Sequence, residues 1–207
     1  MRRKSQGASP SPIGAAAPLG RTVHARECFP GCFSLGKQRK DRHDASELES
    51  GTLTLAALSL GPSFAHVLEA PPRLTVWPPE LWREATVFNG QFALFALVGG
   101  PLDLAAIAAT AVLAFLLRDD RSRFRAAVAG FLLFALALAV WFGWVWPANQ
   151  VLATWQSGPV PDDFAAIRNR WETGHMAVAA LKLVGFLATA RAVTLSAEPL
   201  PKASVSR

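Results

Sequence analysis

The sequence predicts an all-α integral membrane protein, a bundle of four transmembrane helices with both termini cytoplasmic. Three observations carry that prediction. Hydrophobic residues make up 51% of the 207 and charged residues only 17%, against roughly a quarter charged in soluble domains. The apolar residues are gathered into runs of the length a bilayer crossing needs, about 20 residues each. Lys and Arg fall unevenly on the two sides of those runs.

Residues 1–49 read as a disordered basic tail, with nine Lys/Arg among Ser, Pro and Gly. Such a composition offers too little apolar surface to offset the entropy of ordering. No apolar run follows the first basic residues closely enough for a secretory signal. A start upstream of the true one, or an Arg/Ser-rich transit leader, fits the same composition. Cys28 and Cys32 are one residue too far apart for a redox Cys-x-x-Cys pair. No second cluster supplies the four ligands of a structural zinc, so they read as ordinary thiols.

The membrane domain covers residues 50–197, with spans at about 51–68, 92–117, 126–146 and 175–196, and a short tail over 198–207. The first span is rich in Gly, Ser and Thr and is interrupted by Pro62; neighbouring helices can cover the backbone groups that such residues free. The second is longer than a perpendicular crossing and holds Asp103, and Gly99-Gly100-Pro101 is where it should bend. The third is free of charge between Arg125 and Pro147. The fourth holds Lys182 and Arg191; Asp162-Asp163 look like an N-cap, so its helix can begin near Asp163 and project before entering the membrane.

Charge sets the orientation. In a four-span arrangement one side collects sixteen Lys/Arg, from the tail, residues 118–125 and the C-terminus. The other side has four: Arg73, Arg83, Arg168 and Arg170. Positive loops stay inside, so the expected location is the cell inner (plasma) membrane, multi-pass. The pI near 10.1 then points to anionic lipid rather than nucleic acid as the partner of the basic segments.

In that topology all seven tryptophans (Trp77, Trp82, Trp141, Trp144, Trp146, Trp155 and Trp171) fall toward the outer side. They form either an interfacial belt or the wall of an outward cavity for a flat, apolar molecule. Helical spacing puts Thr52, Ser59, Ser63 and His66 on one face, Asn89, Phe92, Gly99, Asp103 and Thr110 on another, and Trp171, His175 and Lys182 on a third. Polar stripes turn inward in lipid. At 1.5 Å per residue Asp103 lies about 20 Å below Asn89 and Lys182 about 16 Å below Trp171, comparable depths for an ion pair. That pair reads either as glue between helices or as a functional group. His66 and His175 reach one side from separate spans and are candidates for proton abstraction, with Asn89, Asn149, Trp155 and Trp171 as binding residues. No metal-ligand motif, phosphate loop or serine nucleophile motif is present, so neither metal nor cofactor is expected.

Two segments resemble a known family. Phe64-Ala65-His66-Val67-Leu68-Glu69-Ala70-Pro71 resembles a His-x-x-Glu-x-Pro pattern, and Asn149, Trp155 and Arg170-Trp171-Glu172-x-x-His175 resemble a second pattern before the last span. Both are similar to small bacterial membrane proteins of the domain-of-unknown-function group classed with the anthrone oxygenases, and the likeness covers about residues 50–195. It implies oxidation of an anthrone-type ring by dioxygen without metal or flavin. His66 or His175 would take the proton of a phenol or acidic methylene, and tryptophans would hold the polycycle. Val178 stands where the family often has Arg, which implies a substrate without a strong anionic group. The alternative is a non-catalytic membrane partner or small-molecule carrier.

Overall fold

Pro71 and Pro72 lie inside the first helix, not beyond its end. The structure, a computed structural model, describes residues 31–89 and 91–195, with side chains over 43–89 and 94–195. Cys28, the side chains of Cys32 and Phe92 and the C-terminal segment 198–207 lie outside the described residues. The chain divides into two units, Met1–Arg39 and Lys40–Arg207, and the four apolar helices belong to the second.

Helix α1 runs Gly31–Thr75 through Pro62, Pro71 and Pro72. Its end comes only where the Val76 and Trp77 amides both donate to the Pro72 carbonyl, at 2.9 and 3.0 Å. The sequence boundaries at residues 49 and 68 are therefore not helix boundaries. The segment 43–50 has strong helix formers and an i,i+4 pair, His43–Glu47 at 3.3 Å, which favours continuing the helix. Pro62 leaves the Leu58 carbonyl without its helical donor. The next carbonyl, that of Ser59, accepts from Lys182 Nζ at 3.3 Å, so a neighbouring helix supports the backbone at that turn.

The remaining elements are α2 (Pro79–Arg83), a π-helical turn (Glu84–Phe88), α3 (Gln91–Leu116), α4 (Arg121–Val140), a second π turn (Trp141–Val145), α5 (Trp146–Leu152) and α6 (Phe164–Thr194). Among the described residues all regular structure is helical. Four stretches are long and apolar enough to cross a membrane: His43–Thr75, Leu94–Leu116, Arg121–Leu152 and Phe164–Thr194. Helix α3 stays helical through Gly99-Gly100-Pro101, with Pro101 inside it. The third span continues beyond Trp146 as one helical stretch, Arg121–Leu152, with Pro147 inside it just after the π turn. Pro147 cannot donate to the Gly143 carbonyl four residues earlier. Arg170 lies across that gap, donating to the Trp144 carbonyl at 3.0 Å and to the Gly143 carbonyl at 3.5 Å.

Helices α4 and α6 pack most closely. Gly130 faces the Gly185 carbonyl and the Thr189 amide, where a Cβ would sit 3.2 and 3.3 Å away. Small residues let membrane helices approach and gain van der Waals contact. Gly174 does the same at the second π turn, since a Cβ there would meet Val145 Cγ2 at 2.7 Å. At one end of the bundle Asp120 caps α4, accepting from the Ser122 and Arg123 amides at 3.1 Å; such a cap contributes about 1 kcal/mol. Arg123 there donates to the Ala192 carbonyl of α6 and pairs with Glu49 of α1. At the opposite end Trp82, Val145, Leu152, Phe164 and Trp171 form an aromatic core. Arg83 pins the loop after α5, donating to the carbonyls of Pro159 (2.8 Å) and Gly158 (2.5 Å).

Candidate functional site

Between α1, α3, the α4–α5 bend and α6 lies a cavity of about 470 Å³, the size of a site for a drug-sized molecule. Its inner wall comes from residues at helical spacing. Helix α6 contributes Trp171, His175, Val178 and Lys182; α1 contributes Ser63, His66 and Arg73. The α6 set is spaced by four, three and four residues and the α1 set by three and seven, so each shares one face.

At the centre of that wall the His66 and His175 imidazoles stack, with centroids 4.1 Å apart and planes inclined by 21°. Trp171 meets both edge-on, 5.1 Å from His66 and 4.4 Å from His175, and Phe95 of α3 lies 4.6 Å from His66. Trp171 is held by its indole N–H, which donates to Asn149 Oδ1 at 2.8 Å. One residue on, Glu172 is fully buried behind the wall and accepts from Trp82 Nε1 at 2.8 Å. The buried His66 Nδ1 has no hydrogen-bond partner among the described residues. Four rings are thus locked in a cluster that includes two imidazoles.

The floor is a polar network. Lys182 Nζ contacts Asp103 Oδ1 at 2.5 Å and donates to Ser63 Oγ at 2.9 Å, and Ser59 Oγ donates to the same Asp103 oxygen at 2.7 Å. Lys182 and Asp103 side chains are 5% and 13% exposed, so the pair joins α1, α3 and α6 out of contact with bulk solvent. A charge at this depth is tolerated when it is paired and hydrogen-bonded.

Of the residues singled out by sequence, the structure brings His66, His175, Asn149, Trp171, Asp103 and Lys182 to this cavity. Two do not reach it. Asn89 is exposed at the end of the first π turn, because the turn between α2 and α3 carries it away from the face it would share on a continuous helix. Trp155 follows α5 and packs against Phe164 and Trp82, with centroids 5.7 and 6.4 Å away; it supports the aromatic core and does not line the cavity. Thr110 is also spent locally, donating to the Ala106 carbonyl at 2.7 Å.

Sequence reasoning missed Phe95, Glu172 and above all Arg73. Arg73 is 2% exposed, pairs with Glu69 at 2.5 Å and lies over Trp77. It was legible in principle, standing seven residues after His66 and so on the same face. It brings a guanidinium, paired with Glu69, to the cavity wall from α1. Among the described residues no group of three or more His, Cys, Asp and Glu side chains converges as metal ligands would. No known family model, curated sequence or solved structure matches the chain.

Proposed function

We propose that this membrane protein binds a flat aromatic or quinone-like molecule in the cavity and oxidises it with dioxygen, His66 and His175 handling the proton. The observation that carries the reading is the stacked imidazole pair set among Trp171 and Phe95. Aromatic walls suit a planar ring, and a neutral imidazole within hydrogen-bond reach of a ring hydroxyl or methylene is the usual general base near neutral pH.

The chemistry balances without a further reductant. The imidazole takes one proton from an acidic ring CH2, and the resulting carbanion gives its electrons to dioxygen. The second C–H bond and the O–O bond then break. One oxygen atom stays as the ring carbonyl and the other leaves as water. The resemblance to the anthrone oxygenase-like group supports this reaction class. The Asp103–Lys182 network supports a structural role beneath the ring, since its hydrogen bonds are made within the protein. The charge distribution supports an inner-membrane location with both termini cytoplasmic.

The test is oxygen uptake by the purified, detergent-solubilised protein supplied with anthrone-type substrates. Consumption matched by quinone formation supports the oxygenase. Saturable ring binding without uptake would leave a carrier as the function.

A further inference from the structure

We infer that the cavity is open sideways to the lipid between α3 and the second π turn, and that its ligand is a ring carrying a hydrocarbon tail that lies in this opening. That ligand class rests on the reading of the cavity as a ring-binding site and narrows the molecules it takes.

Exposure along the cavity wall is sorted by polarity. The exposed wall residues are Ala96, Gly100, Pro101 and Leu104 on α3, and Phe142 and Trp146 across from them. None carries a charge. Leu104, Phe142 and Trp146 are 61%, 56% and 45% exposed. The charged and imidazole groups of the same cavity, Arg73, Lys182, Asp103 and the two histidines, are all buried or nearly so. A mouth for a water-borne ligand would show the reverse order, with polar residues at the rim.

Depth in the bilayer points the same way. The α3 span is Leu94–Leu116, and Leu104 lies ten residues into it, about 15 Å at the helical rise. That is near the middle of a hydrocarbon core about 30 Å thick. The exposed rim therefore starts near the edge of the hydrocarbon core at Ala96, about 3 Å into the span, and reaches acyl-chain depth at Leu104. The space beside the rim is open, since a Cβ added at Gly99 or Gly100 meets nothing within 4 Å. A molecule fitting both ends has a planar head with oxygen functions for the imidazole wall and an apolar chain leaving between Gly100 and Phe142. An alkylated or prenylated phenol, anthrone or quinone has that form.

The experiment uses the full chain in phosphatidylcholine vesicles and two naphthoquinone probes that share a ring, menadione without a chain and phylloquinone with one. Saturable quenching of tryptophan fluorescence reads occupancy. Gly100→Phe and, independently, Ala96→Phe place a ring in the opening, and the space around Gly100 lets the first fold. Leu97→Phe, at a lipid-facing position 71% exposed, is the control. Each plug should weaken phylloquinone at least about tenfold and menadione by less than about twofold, and the control should change neither. Plugs that alter neither probe, or both equally, would overturn the lateral opening while leaving the ring site standing. Absence of saturable quenching by either probe in the unsubstituted protein would instead remove the ring site, and the opening with it.

Discussion

The imidazole of His66, on α1, lies face to face with that of His175, on α6, at 4.1 Å between centroids. The two residues are 109 positions apart in the chain, and Trp171, one helical turn before His175, closes the pair from the edge. In this packing each ring fixes the orientation of the other. Replacing one by phenylalanine keeps an aromatic ring in the stack, slightly larger, and removes both ring nitrogens. His175→Phe and His66→Phe should each keep the thermal midpoint of the detergent-solubilised protein within a few degrees. At least one of them should lower oxygen-dependent turnover about 100-fold or more, the range of a lost general base. Full activity in both phenylalanine variants would exclude proton transfer by these imidazoles.

Asp103 and Lys182 make a different kind of contact. The ammonium has three partners within 3.3 Å and the carboxylate oxygen two. Asp103→Asn leaves a buried ammonium without its counter-charge and should destabilise by about 1–3 kcal/mol. Lys182→Met combined with it should recover much of that loss, since no unpaired buried charge then remains. Melting of the two single variants and the double variant gives the coupling directly. Losses that simply add would mean the two side chains act independently.

These two pairs mark what the sequence makes legible. Ser59, Ser63 and His66 on α1, and Trp171, His175 and Lys182 on α6, repeat at helical spacing, and a polar stripe in lipid must turn inward. Arg73 belongs to the same stripe but lies beyond the span end expected at residue 68, on a helix that continues to Thr75. Asn89 shares the face of Asp103 only on an unbroken helix, which the turn before α3 interrupts; Trp155 is placed by its side of the membrane, and a side does not specify a face. The π turn at Trp141–Val145 left no mark in the periodicity. A regular α-helix would set Trp141 and Asn149 about 80° apart. The wider π turn rotates them toward one another, and both line the cavity. Phe95 had no signal, being one apolar residue among many.

Orientation is best read at the loop after α5. That helix extends to Leu152, so a reporter belongs beyond it, at residues 156–158, where the chain is exposed. There it should behave as exported. Fusions after Arg207 or within Arg118–Arg121 should behave as cytoplasmic, following the excess of Lys and Arg on that side. The opposite pattern in all three fusions would invert the bundle, and the lateral opening would then face the other leaflet.

Glycine substitutions should have opposite signs at two positions of the same bundle. Gly130 of α4 faces backbone of α6, and a Cβ there would stand 3.2 Å from the Gly185 carbonyl oxygen and 3.3 Å from the Thr189 amide nitrogen. Backbone atoms cannot rotate aside as a side chain can, so the helices must part, and overpacking of this kind costs about 1–3 kcal/mol. Separation also weakens the contact of Gly185 with Phe134, whose ring lies 3.2 Å from a Cβ built there. Gly130→Leu should therefore lower the melting temperature clearly. Gly61 of α1 is exposed, with nothing within 4 Å of an added Cβ. There the only change is in backbone freedom, and Gly→Ala in a helix favours the folded state by up to about 1 kcal/mol. Gly61→Ala should leave the melting temperature unchanged or raise it. If Gly130→Leu melts like the unsubstituted protein, α4 and α6 approach less closely than these distances require. A fall at Gly61→Ala would place that face of α1 against a neighbour.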